Sequence, residues 1–142
     1  MRKIISIPIM LFIGIQFIPY GKNHTNPEVI AEPTWDSLQT KYVFMKACGD
    51  CHSHETKWRW YSNIAPISWA IAHHVEEGRE HFNVSMWDKQ KKNHGDEASK
   101  EVEEGEMPLQ SYLLAHPEAD LSKEEKEQFI LGLKRTFGEE TH

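Results

Sequence analysis

The chain has 142 residues, 39% hydrophobic and 27% charged, enough for one modest domain with a small core. That excludes repeat arrays and multidomain enzymes. Lys and Arg number 16 against 22 Asp and Glu, and setting Arg2 and Lys3 aside deepens the net charge from −6 to −8. Such an acidic body repels phosphate backbones and anionic headgroups, which argues against nucleic-acid binding and leaves room for a basic partner. Cys48 and Cys51 are the two cysteines, too few and too close together to staple a fold, so their role is chemical.

Met1-Arg2-Lys3 is followed by 18 residues without a charge, Ile4 to Gly21, seven of them isoleucine. Residues 1–21 therefore read as a signal peptide or an N-terminal membrane anchor, and the body as exported to the periplasmic side. Gly21 with Pro19 two residues before it makes a poor cleavage site, which favours retention as a short anchor of about 27 Å. A buried globular helix is disfavoured, because Pro8 and Pro19 should break it.

Residues 22–33 carry Pro27 and Pro33 with little periodicity and read as a mobile linker. The domain proper is placed at 34–138, with a tail at 139–142. Trp35, Leu38, Tyr42 and Met45 predict a helix capped by Thr34 and running into Cys48. The aromatic stretch KWRWYSNIAP reads as a loop, and Ser68 as the cap of a helix that ends near Gly78. A third helix is expected from Ser85 through Trp87 to Asn93-His94-Gly95, and a short acidic fourth from Asp96 to Gly105. Ser122 and Glu125 form a capping box for the last helix, Phe129, Ile130, Leu133 and Phe137 make its stripe, and Gly138 supplies the stop. No run alternates with period two, so the class is all-α.

Cys48-Gly49-Asp50-Cys51-His52 is C-x-x-C-H, the attachment sequence for c-type haem. Thiols at i and i+3 lie on one side of a helical turn, where both can bond one porphyrin, and the next residue offers an imidazole to the iron. Three other readings compete. A Cys₂His₂ zinc site wants a second histidine pair three to five apart, and His73, His74 and His81 do not supply that spacing. A thioredoxin-like pair needs a preceding buried strand, whereas KYVFMKA continues a helix. A plain disulfide beside an idle histidine is the third.

CGDCHSHETKWRWYSNIAPISW, then EEGREHFNVSMW, then EVEEGEMPLQSYLLAHPEADLSKEEK, resemble the bacterial haem-binding domain family of exported, single-haem, cytochrome c-like proteins. The likeness spans about residues 34 to 137. It implies a small helical domain wrapped around one covalently bound haem c, with a terminal helix packed back on the first. It places a distal thioether at Met107, 55 residues after His52 in a Met-Pro loop, so that Cys48, Cys51, His52 and Met107 hold the cofactor and His52 and Met107 the iron. His116, His73 and His74 are rivals for the distal position, and His54 should point away. Ile64-Ala65-Pro66 is expected to accept the free N–H of the proximal imidazole. Trp60, Tyr61, Arg59 and Arg79 are candidates for the haem propionates; Trp35, Trp69 and Trp87 are core.

The implied function is one-electron transfer with a redox partner protein. Glu97, Glu101, Glu103, Glu104 and Glu106 read as a solvated helix face or as a docking patch for a basic partner. A haem-based sensor of small ligands, or a peroxidase-like enzyme with an open iron, is the alternative. No Ser-His-Asp or paired-carboxylate arrangement suggests a second active site among the nine histidines and many acids.

Overall fold

The computed structural model describes residues 2–139, with side chains from residue 7 onward. The tail expected at 139–142 lies outside it beyond its first residue. Among the described residues seven α-helices follow one another: α1 Arg2–Ile15, α2 Leu38–Ala47, α3 Gly49–His52, α4 Ile67–His81, α5 Ala98–Glu104, α6 Gln110–Ala115 and α7 Lys123–Phe137. Short 3-10 turns cover Trp60–Asn63, Gly95–Glu97 and Pro117–Ala119. There is no strand among the described residues, only an isolated parallel bridge between Ala31 and Met86.

The terminal helix α7 packs on α2 and α5, and the short α3 packs on α4. Between them lies a core of Val43, Phe44, Phe82, Val102, Phe129 and Leu133. Phe44 is fully buried. Phe137 seals one side, its ring stacked on Trp87 at 4.5 Å and edge-on to Phe44 at 5.7 Å, in the offset and T-shaped arrangements that aromatic quadrupoles favour. Trp35 and Trp87 pack against this core as expected. Where α7 crosses α2, a Cβ on Gly132 would stand 2.2 Å from Thr40 Oγ1, so the close approach requires glycine.

Several element boundaries differ from the sequence expectation. The second helix begins at Leu38, not Thr34: Ser37 is extended and its Oγ accepts from the Thr40 N–H at 3.1 Å, while the Asp36 N–H is held by Thr136 Oγ1. Helix α4 starts one residue before Ser68 and runs past Gly78 to His81, because Gly78 is packed inside the helix rather than ending it. The helix expected from Ser85 to Gly95 does not form. Asn83 Oδ1 takes the Ser85 N–H, the Ser85 carbonyl takes those of Ile30 and Ala31, and Trp87 N–H goes to Ala31 O. Those backbone groups are therefore committed to the N-terminal segment. Helix α6 was not anticipated.

Two expectations about the N-terminus change as well. Helix α1 continues through Pro8 and ends before Pro19. Residues 22–33, expected as a mobile linker, instead lie along the body, with hydrogen bonds from Asn26 to the Thr56 carbonyl and between His54 and the Glu28 carbonyl. No helix among the described residues is long and apolar enough to cross a membrane.

The capping box is present in both directions: Ser122 Oγ accepts from the Glu125 N–H and Glu125 accepts from the Ser122 N–H. Gly105 and Gly138, at φ 81° and 87°, stop α5 and α7 in a conformation that disfavours other residues. Ser122→Ala should cost about 1 kcal/mol in a denaturant titration. The bonds from Ser122 hold the Glu125 carboxyl below its usual range. Its contribution is thus present above the unfolded carboxyl pKa and is lost as pH falls through the lower folded value. The stability gap between wild type and Glu125→Gln should accordingly narrow on acidification. Gly132→Ala should cost about 1–3 kcal/mol by forcing α7 off Thr40.

Candidate functional site

The site is built around α3, a single turn made of the motif itself. Cys48 closes α2 and opens α3, so the two thiols and His52 are carried on adjoining turns without an intervening loop. This turn can sit on α4 because Gly78 has no side chain: a Cβ there would lie 2.7 Å from the Cys51 carbonyl oxygen and 3.0 Å from the Cys51 Cβ. The Val84 N–H donates to the His52 carbonyl at 2.9 Å, which fixes the exit of the turn.

His52 is buried, and its ring stacks on Phe82 with centroids 4.2 Å apart and 17° between planes. Its Nδ1 is 3.2 Å from the Phe82 carbonyl oxygen. The Ile64-Ala65-Pro66 loop therefore does not play the expected part; the residue that follows α4 does. Burial pulls the His52 imidazole down to about 4 against the opposing pull of the backbone carbonyls, so the ring is neutral near pH 7. With Nδ1–H donated to a carbonyl, Nε2 keeps its lone pair.

Cys48, Cys51, His52 and Met107 all line one cavity of about 680 Å³, a size typical of cofactor sites. Phe44, Phe82, Val102, Leu109 and Leu133 give it apolar walls, while His81, Lys92, His94, Glu97 and Glu101 stand among its polar lining. The cysteines are not bonded to each other. Burial, reinforced by the neighbouring Cys51, pushes the Cys48 thiol up to about 12. Burial and then the Asp50 charge raise Cys51 to about 11, with Arg79 opposing. Both are neutral S–H groups at physiological pH. Met107 is partly buried against the core, beyond Gly105 and the end of α5.

Other candidates are distributed differently. His74 lines the cavity, but His73 is on the surface beside Glu77 and does not. His116 is buried outside it, with Nε2 3.0 Å from the Tyr61 hydroxyl and Nδ1 3.0 Å from the Tyr112 carbonyl. His54 is likewise turned away, toward Glu28. Of the four propionate candidates none lines this cavity. Arg59 pairs with Glu118, Trp60 is 75% exposed, Tyr61 meets His116, and Arg79 donates to the Ser53 carbonyl and Thr56 Oγ1. Arg79 is spent on the loop after the motif, which explains why a nearby cation in sequence is not one in the cavity. Among the described residues no group of three or more His, Cys, Asp or Glu is placed to hold a metal ion.

Sequence reasoning missed four contributors. Phe82 follows the α4 stop and Gly78 sits inside the helix, so neither carries a motif. Tyr112 donates to Asp50 Oδ2 at 2.9 Å and stacks on His116 at 4.0 Å, tying α6 to the motif turn. Burial and the Asp50 charge raise its hydroxyl pKa, so it remains a donor. The fourth is a cluster in which His81 and His94 stack at 4.8 Å and each sits 3.1 Å from a different Glu97 oxygen. Taking Asn93-His94-Gly95 as the stop of a helix that starts at Ser85 does not bring His94 to His81.

A neutral imidazole with a free Nε2, a soft thioether, two neutral thiols and apolar walls suit a flat, largely apolar ring with iron at its centre. No curated protein and no solved structure matches the chain. The model of the haem-binding domain family matches residues 10–135. That match takes in α2 to α6, nearly all of α7 and the entire cavity, and it places the chain in the haem-binding domain family.

Proposed function

We propose that the chain is an exported c-type haem protein, with one haem covalently held per chain, that carries single electrons between partner proteins. The observation supporting this best is that both thiols, the carbonyl-held His52 and Met107 share one apolar-walled cavity. Bound there, the haem supplies a one-electron couple. Cys48 and Cys51 would hold it through thioether bonds, for which their neutral S–H groups are suited. His52 ligates through Nε2, its tautomer and angle set by Phe82. Met107 would supply the second protein ligand to the iron, and a neutral sulfur there would favour the reduced state.

The apolar walls keep water from the iron, so that electron exchange needs little rearrangement. The acidic residues on and around α5, with Glu97 and Glu101 at the cavity, suit a partner with a basic face.

In the ferric state the wild-type protein should be six-coordinate and low-spin, with the weak near-infrared sulfur-to-iron band, and should resist CO when reduced. Met107→Ala should abolish the band and admit CO. A wild-type iron that is high-spin when ferric and binds CO readily once reduced would favour the sensor or peroxidase alternative, and an unchanged Met107→Ala spectrum would transfer the distal role to another residue, His74 first. Gly78→Ala should push Cys51 off α4, costing about 1–3 kcal/mol of stability and lowering the ratio of haem to protein absorbance after maturation.

A further inference from the structure

We infer that α1 is a retained anchor embedded in lipid, and that residues 16–31 form a strap mounting the haem-binding body rigidly upon it. The inference rests on the proposed export of the chain and is independent of the haem chemistry.

Ile9, Met10, Leu11, Phe12 and Ile13 are consecutive and between 49% and 69% exposed. At 3.6 residues per turn they point to every side of α1, so no face is reserved for the body. A protein groove needs one apolar stripe, whereas a helix apolar all round needs an apolar solvent. The uncharged run from Ile4 to Gly21, following Arg2 and Lys3, identifies that solvent as bilayer hydrocarbon. With 14 residues α1 rises only about 21 Å, so it lies tilted within one leaflet, with Arg2 and Lys3 returned to the headgroups, and does not cross.

The end of this apolar segment is built into the domain. The Gln16 side chain pairs with Ala65 in both directions, Nε2 donating to its carbonyl at 2.9 Å and Oε1 accepting its N–H at 3.0 Å. Lys22 Nζ donates back to the Gln16 carbonyl, and the Tyr20 hydroxyl reaches Glu76 at 3.0 Å. Gly21 turns at φ +74° where a Cβ would lie 2.4 Å from the Ser68 carbonyl oxygen, so only glycine fits. Farther along, His24 stacks on Trp58 at 4.5 Å, and Ile30 and Ala31 donate to the Ser85 carbonyl. A discarded leader would have no reason to make the contacts of Gln16, Tyr20 and Gly21, nor a free tether those of His24, Ile30 and Ala31.

The strap meets α4 at Ser68, Glu76 and Arg79, whereas His74, Gly78 and His81 of the same helix line the cavity. At helical periodicity the two sets lie on opposite sides of α4, so the mount leaves the cavity clear. The cavity is thereby presented at a fixed attitude to the membrane.

The test uses the full-length holoprotein in vesicles of equal parts phosphatidylcholine and phosphatidylglycerol. It should float with the vesicles at high salt, and its N-terminal peptide should begin ahead of Ile4. Trypsin should cut slowly after Lys22, about tenfold faster in Gly21→Ala, and at an intermediate rate in the milder Gln16→Ala, since cleavage tracks the undocked population. Haem absorbance recorded on the same samples should not change, which separates this claim from the cofactor reading. A mature chain starting at Lys22, equal cleavage in wild type and both variants, or a protein that stays out of the vesicles as a dimer through α1 would each overturn it.

Discussion

Everything at the site depends on how closely one turn of helix can approach another. The motif turn α3 is four residues long and has no independent stability; it holds its shape because Gly78 lets the Cys51 backbone rest directly on α4. From that contact follow the position of both thiols, the placement of His52 over Phe82, and the backbone bond from Val84 that closes the segment. A side chain at position 78 would separate the two helices and take the imidazole away from the carbonyl that orients it.

The polar groups around the cavity follow a consistent division. The His52 imidazole and the Cys48 and Cys51 thiols are neutral, because burial lowers the first and raises the other two. Asp50, Lys92, Glu97 and Glu101 are polar residues that line the same cavity. That arrangement suits a large apolar cofactor whose ligands must be neutral donors, and it agrees with membership of the haem-binding domain family.

Much of the fold was legible because its signals are local. The capping box of α7, the glycine stop of α5 and the apolar stripe that includes Phe129 and Leu133 are each written in a few neighbouring residues. The motif at Cys48–His52 was legible for the same reason. What escaped was decided by distant partners. The backbone around Ser85 looks helical alone but is claimed by Ile30 and Ala31, more than 50 residues earlier. Phe82 supplies the carbonyl for His52 across 30 residues, and Arg79 is drawn to the loop at Ser53 and Thr56 rather than to the cavity. Pro27 and Pro33 suggested a linker because composition cannot show that the surface beneath offers hydrogen bonds.

The central claim is that the cysteine pair fixes a haem whose iron His52 ligates. The most direct test is the intact mass of the denatured protein, expressed with a cytochrome c maturation system, together with alkylation of its thiols. Attachment through both cysteines gives a chain heavier by one haem that stays coloured after denaturation and takes up no alkylating reagent at Cys48 or Cys51. A colourless chain of unmodified mass, with both thiols alkylated or joined to each other, would contradict it.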